Sequence, residues 1–269
     1  MILRAALLIC AVLASGSLPV RAQPQGEVAS ADMLQGWRTD SGSIMMALRL
    51  RLAPGWKTYW RSPGEAGIPP TFDWSGSDNL GQIRLFWPRP VVFLTSGMTS
   101  IGYHDEVVLP FEVVAADPGR PVRLGLQVDL GVCKDICLPV TLAIAGDVLG
   151  TGQDSDIIRA ALADRPVPAA SAGLTGIACD VAPIEDGVRV TARVDMPPLG
   201  LDETVVFEAG SPDIWVATSQ SDRRGERLTS AADMVAGTGL PFALDRSGVV
   251  LTIISGATAV EIKGCPAGQ

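Results

Sequence analysis

An all-β protein built from two sandwiches is what this chain predicts, and three observations carry that expectation. Apolar and polar residues alternate at period two over several stretches, the pattern of strands with one buried face. Turn formers are plentiful, with 29 glycines and 20 prolines in the chain, and they recur between those stretches. The length of 269 residues suits two domains of about 100–150 residues each.

Taken in order, the chain opens with a leader rather than a structural element. Arg4 precedes the apolar run Ala5–Leu13, and a small, polar stretch then ends at Val20-Arg21-Ala22. This is the layout of a secretory signal peptide over residues 1–22, with cleavage expected after Ala22. The apolar run falls short of the ~20 residues that a membrane span requires. Cys10 lies inside that run behind Ile9, where a lipid-modified cysteine would follow a small residue, so lipidation is not expected. An exported, soluble mature chain is the expectation. Removing the leader takes away Arg4 and Arg21 and no acid, which moves the formal charge from −8 to −10.

Residues 23–150 form the first expected domain. Ile44, Met46, Leu48, Leu50 and Leu52 alternate with Met45, Ala47, Arg49 and Arg51, which predicts a half-buried strand. Val107–Val114 reads as a strand whose Pro110 predicts an edge or a bulge. Val122–Leu130 and Leu138–Ile144 alternate again, with the apolar side chains at even positions. Turn signals separate these runs at Ser62-Pro63-Gly64 and Trp87-Pro88-Arg89-Pro90. Residues 151–173 read as a connector: a helix over Asp154–Asp164, capped by Asp154 or Ser155, then the Pro/Ala segment Arg165–Gly173. A second β domain is expected over 174–269, with strands at Gly187–Val194, Thr204–Glu208, Ile214–Thr218, Val249–Ser255 and Ala259–Lys263. Short strands at this spacing favour sandwiches over a parallel α/β sheet.

Composition excludes several functional classes. A chain that is 47% hydrophobic and 19% charged is not wholly disordered. With a formal charge of −8 and no basic run, it is a poor partner for nucleic acid or an anionic membrane. His104 is the single histidine, so a His-rich metal site is impossible. No glycine-rich phosphate loop stands between a strand and a helix, and no serine has a nucleophile-elbow setting. No cofactor is expected.

The leader implies an oxidising compartment, where the remaining Cys133, Cys137, Cys179 and Cys265 suggest two disulfides. Three pairings are possible in principle. Cys179 and Cys265 lie at the start and end of the second domain, and a bridge between them would tie its first and last strands. Closing so long a loop is worth about 4–5 kcal/mol in the chain-entropy view, a structural role. Cys133 and Cys137 instead flank Lys134-Asp135-Ile136, read as a hairpin loop. Both fall on the odd, polar register of their strands, which places them opposite each other and near the surface. Opposed residues of antiparallel strands approach closely enough for a disulfide. A bridge over so small a loop gains little entropy, and exposed short-loop disulfides are the kind that exchange. Two other readings stay open: a simple hairpin staple, and two thiolates holding Cu(I) with Met98 or His104. Tetrahedral zinc would lack ligands here.

Gly131-Val-Cys133-Lys-Asp-Ile-Cys137-Leu-Pro139 resembles the redox hairpin of the periplasmic N-terminal (alpha) domain of the DsbD and ScsB thiol-disulfide reductases. Gly55-Trp-Lys-Thr-Tyr-Trp60 resembles that family's early aromatic strand, and Ile101–Pro110 its Tyr-x-Asp…Leu-Pro segment. The likeness spans roughly residues 28–150, and the Cys-x-x-x-Cys spacing is that of the ScsB-like branch. The resemblance implies an immunoglobulin-like sandwich in the periplasm whose Cys133 and Cys137 pass reducing equivalents to periplasmic disulfide proteins. It implies a protein-disulfide reductase activity that depends on a donor, either a membrane thiol-disulfide reductase or a thioredoxin-like domain. It further implies that Cys137 makes the bond to the partner, and that an aromatic residue shields the pair, with Phe93 the candidate in Val92–Gly97. The resemblance also suggests that Tyr59 and Tyr103, the two tyrosines, pack near the cysteines, which periodicity does not show. The rival reading is a non-catalytic binding module, for copper handling or assembly, with purely structural disulfides. Trp56, Trp60, Trp74 and Trp87 read as core and turn anchors, and His104-Asp105-Glu106 as a solvated turn.

Overall fold

The structure, a computed structural model, describes residues 28–95 and 97–268. The expected leader, with Cys10 and Ala22, lies outside the described residues. Ten strands build the first sandwich: β1 (Ala29–Arg38), β2 (Ile44–Leu52), β3 (Lys57–Gly64), β4 (Thr71–Asp73) and β5 (Leu80–Leu85), followed by β6 (Val91–Thr95), β7 (Met98–His104), β8 (Glu106–Ala115), β9 (Arg123–Cys133) and β10 (Cys137–Asp147). One sheet runs β1-β2-β8-β5 and the other β10-β9-β3-β7-β6, with β4 paired to β9. Even-numbered residues of β2 and β9, among them Met46, Leu48, Leu124 and Val128, meet in the core with Trp60 and Phe111. The chain is all-β and immunoglobulin-like in this part, as the alternation predicts.

Two expectations for this sandwich need correction. Pro110 does not mark an edge: β8 lies between β2 and β5. Its carbonyl accepts the Phe86 N–H at 2.8 Å, so its nitrogen faces that same side, beyond the last β5 pair of Leu85 with Phe111. The missing donor therefore costs only the reciprocal bond to the Phe86 carbonyl, at the end of that ladder. Ser62-Pro63-Gly64 is not a turn but the end of β3, where the register with β7 shifts between Tyr59 and Gly64.

The helix α1 (Ser155–Ala163) forms where the apolar stripe predicts it. Asp154 does not cap it by side chain; its carboxylate accepts the Gln35 N–H on β1 at 2.7 Å and so ties the helix to the sheet. Ile158, fully buried, then packs on Leu34, Met45 and Ala47. This explains why β2 is buried on both faces at Met45 and Ala47 although its pattern reads as half-buried. The connector is therefore not free chain. Its helix belongs to the first sandwich, and β11 (Val167–Pro168) pairs with the last strand of the second.

The second sandwich comprises β12 (Gly176–Pro183), β13 (Val188–Asp195), β14 (Thr204–Glu208), β15 (Ile214–Val216), β16 (Gln220–Arg224), β17 (Arg227–Ala236), β18 (Val250–Ser255) and β19 (Thr258–Lys263). Its sheets run β11-β19-β18-β14 and β12-β13-β17-β15, with β16 also on β17. Cys179 on β12 is bridged to Cys265 just after β19, with Cα atoms 5.4 Å apart, so the bond joins the two sheets. Both cysteines are buried in the core of this sandwich.

The two sandwiches meet through a polar clamp and an apolar seam. Arg61 at the outer part of β3 donates to Glu208 at 2.7 and 3.0 Å and to Glu261 at 3.1 Å, with its guanidinium over the Trp60 ring. Val206, Ile254 and Ala259 extend the first core across the junction.

Ile158→Ala should lower the stability of the chain by about 2–5 kcal/mol, the cost of emptying a fully packed apolar site. A denaturant melt checks this, and a loss below ~1 kcal/mol would mean that the helix is not part of the first sandwich's core.

Candidate functional site

Register builds the site. Cys133, the last residue of β9, is paired with Cys137, the first of β10, and their Cα atoms are 4.1 Å apart. The intervening turn closes with Lys134 N–H donating to the Ile136 carbonyl at 3.0 Å. Cys133 is bridged to Cys137 in the structure. On its other side Cys133 pairs with Lys57 of β3, and Lys57 pairs in turn with His104 of β7. Cys137, Cys133, Lys57 and His104 thus form one transverse row over four adjacent strands. Directly paired residues share a face.

The two sulfurs have unlike surroundings, which corrects the expectation that both lie near the surface. Cys137 is exposed, whereas Cys133 is only 2% exposed. Alternation fails to predict this because the outer face of β9 is covered at its end. Tyr59, two residues from Lys57 on the same face of β3, donates its hydroxyl to Cys133 Sγ at 2.9 Å and lies 3.8 Å from Cys137 Sγ. Burial pushes the Tyr59 phenol above its usual range, so it remains a donor at neutral pH. The loop after β3 completes the wall. Gly67 lies against the Tyr59 ring, and a Cβ there would come within 2.8 Å of Tyr59 Cδ1. Ile68 fills the space over Gly131, where a Cβ would lie 2.8 Å from Ile68 Cβ. Glycine at both positions lets the loop sit directly on the sheet.

On the other side of the row stands the β6–β7 pair. Phe93 is opposite Ser100 and hence on the same face as Lys57 and His104. The Lys57 ammonium lies 4.8 Å from the Phe93 ring centre and donates to Ser100 Oγ at 3.2 Å. His104 meets the Phe93 ring edge-on, with ring centres 6.3 Å apart, and is itself 2.6 Å from Asp105 through Nδ1. Desolvation holds the Lys57 ammonium below the usual lysine range. Lys134, adjacent to Cys133 in sequence, turns away and donates to the Pro54 carbonyl at 3.4 Å.

Several residues singled out in the sequence fall elsewhere. Met98 sits at the far end of β7 from His104, about 20 Å for six strand residues, and so away from the cysteine row. Tyr103 points into the core and donates to the Pro88 carbonyl at 2.8 Å. Trp56 and Trp60 are core residues, and Trp74 and Trp87 pack against that core. His104 and Asp105 are exposed, as in a solvated turn, yet His104 also ends the cysteine row. Lys57 and Ser100 were not singled out by sequence reading. The signal for Lys57 was its alternation with Tyr59 in an aromatic strand, which acquires meaning only once β3 is paired with β9.

Residues 29–145 match the family described as thiol:disulfide interchange protein DsbD, N-terminal. The chain is also similar to the crystal structure of the N-terminal periplasmic domain of ScsB from Proteus mirabilis. The TM-score is 0.71 at 22% identity, over 92% of this chain and 97% of that chain. That likeness extends over both sandwiches and establishes the fold. Among curated proteins none matches the sequence.

Replacing Tyr59 with Phe removes a hydroxyl that lies within reach of both sulfurs and keeps the ring. A hydrogen bond to a charged group contributes about 1.5–3 kcal/mol, so losing it destabilises the reduced, ionised pair. The Cys133–Cys137 couple should move to a more negative potential by about 30–60 mV, read in a glutathione titration. A potential equal to wild type would show that the hydroxyl does not act on the thiolate.

Proposed function

We infer that this protein, whose residues 29–145 match the DsbD N-terminal family, exchanges disulfides with protein partners through Cys133 and Cys137. The observation that carries this reading is the asymmetry of the bridge: Cys137 is an exposed residue, whereas Cys133 is buried with its sulfur hydrogen-bonded to Tyr59. Exchange needs one sulfur that a partner can reach and one held in place to resolve the mixed disulfide.

In the reducing direction a donor thiolate attacks Cys137 Sγ, the Cys133–Cys137 bond breaks, and Cys133 leaves as the thiolate. Tyr59 stands ready to donate to that sulfur. The donor's second thiol, after loss of its proton, then attacks the mixed disulfide. The donor leaves as a disulfide, and Cys133 and Cys137 as thiols once protonated. Two electrons have passed from donor to pair. Delivery to a client disulfide runs the same steps in the opposite sense, with Cys137 attacking and Cys133 resolving. The donor fits a membrane thiol-disulfide reductase or a thioredoxin-like domain, and the clients fit periplasmic disulfide proteins. Phe93 is assigned the shielding role, which its place on the site face beside Lys57 and His104 supports. Cys179–Cys265 is assigned a structural role, in line with its burial and its closure of an 86-residue span.

Mild reductant followed by alkylation should label Cys133 and Cys137 well before Cys179 and Cys265, and equal labelling would count against exchange. The stronger test uses single mutants in non-reducing electrophoresis of extracts from the source cell's envelope. Cys133→Ala should accumulate a reductant-sensitive adduct through Cys137, and Cys137→Ala should trap much less. If neither mutant forms an adduct with the donor present, the disulfides are structural only.

A further inference from the structure

A mixed disulfide constrains where its partner can sit. Residues joined by a disulfide keep their Cα atoms within about 7 Å of each other. Any protein bonded to Cys137 must therefore lay its chain on the surface around that residue. Two exposed isoleucines lie there. Ile136, 63% exposed, is the last residue of the turn and directly precedes Cys137. Ile68, 49% exposed, sits over Gly131. Gly131 shares a face with Cys133, two residues or about 7 Å further along β9. Its partner on β10 is Pro139, which is also exposed. Of the turn's two charged residues, Lys134 reaches to the Pro54 carbonyl, and Asp135 lies one residue further along the chain from Cys137 than Ile136. A partner bonded to Cys137 would cover this apolar area, which leaves water only in the complex.

We propose that Ile68 and Ile136 are specificity-determining residues: they form an apolar rim beside Cys137 that favours protein partners whose own reactive cysteine stands among apolar side chains. The role rests on the exchange reading above and adds to it the chemistry of the partner's surface. Covering the rim stabilises the mixed disulfide and the transition state that leads to it. A polar thiol without apolar neighbours gains little from the same surface.

The test uses the full chain with Cys133–Cys137 oxidised, in wild type, I68S, I136S, I136L and the I68S/I136S double variant. Three thiols are compared in excess: glutathione and the end-capped tripeptides Leu-Cys-Leu and Ser-Cys-Ser. Each reduction consumes two thiols. The first attacks Cys137 Sγ and frees Cys133, and the second removes the first as a disulfide, leaving the pair as thiols. The readout is the rate of bridge opening in acid-quenched samples, followed by mass. Wild type should react with the leucine peptide about threefold to tenfold faster than with the serine peptide, the range that partial covering of these side chains supports. Each serine variant should lower that ratio, the double variant should bring it close to one, and I136L should keep it. Because the ratio compares two peptides on one variant, a general loosening of the site by I68S cancels. Equal peptide rates in wild type, or an undiminished ratio in the double variant, would overturn the proposal and leave exchange standing. A wild-type pair that none of the three thiols reduces would overturn the exchange reading, and the rim with it.

Discussion

The pairing of β3 with β9 over Lys57–Cys133 and Thr58–Val132 is the constraint on which the site depends. It sets Tyr59 on the face of the sulfurs, puts Lys57 in the cysteine row, and through β7 brings His104 to the end of that row. A slip of one residue would turn Tyr59 and Lys57 into the core and bring Thr58 and Trp60 to the disulfide. The core forbids that slip, since Trp60 is fully buried and Thr58 donates to the Gly131 carbonyl at 3.0 Å. Packing on one face of β3 thus determines the chemistry on the other.

The same strand reaches the second sandwich. Arg61 is held by Glu208 and Glu261, with its guanidinium on the Trp60 ring. Burial alone would disfavour the Arg61 charge, but the two carboxylates hold its pKa above the usual arginine value. Losing one partner of so enclosed a group leaves an uncompensated charge, so the junction has a preferred geometry. Lys57, Tyr59 and Arg61 lie at alternate positions of a single strand and serve three neighbours: the β6–β7 pair, the sulfurs and the second sandwich.

The two disulfides show how the same bond takes on different physical roles. Cys179–Cys265 closes an 86-residue span between two sheets, with Cys179 N–H donating to the Pro266 carbonyl at 2.7 Å and its carbonyl accepting from Arg246 at 2.8 Å. Loop entropy and burial both favour leaving it intact. Cys133–Cys137 spans four residues, so its loop contributes little, and one of its two cysteines is exposed.

Sequence alone determined the all-β class, the span of β2, a helix within Asp154–Asp164 and the facing of Cys133 and Cys137 across a hairpin. Each of these rests on a local period or spacing. Local patterns missed β17, whose buried residues Leu228, Ser230, Ala232 and Met234 include two that are small or polar, so its alternation is faint. They also misjudged Pro110, because a strand's neighbours decide whether an absent donor matters. Only tertiary structure decided that Cys133 is buried while Cys137 is open, that Tyr59 rather than Lys134 faces the sulfurs, and that Lys57 spans to Phe93. These contacts join residues 36 to 78 positions apart, and no periodicity within one strand carries information about which strand will lie beside it.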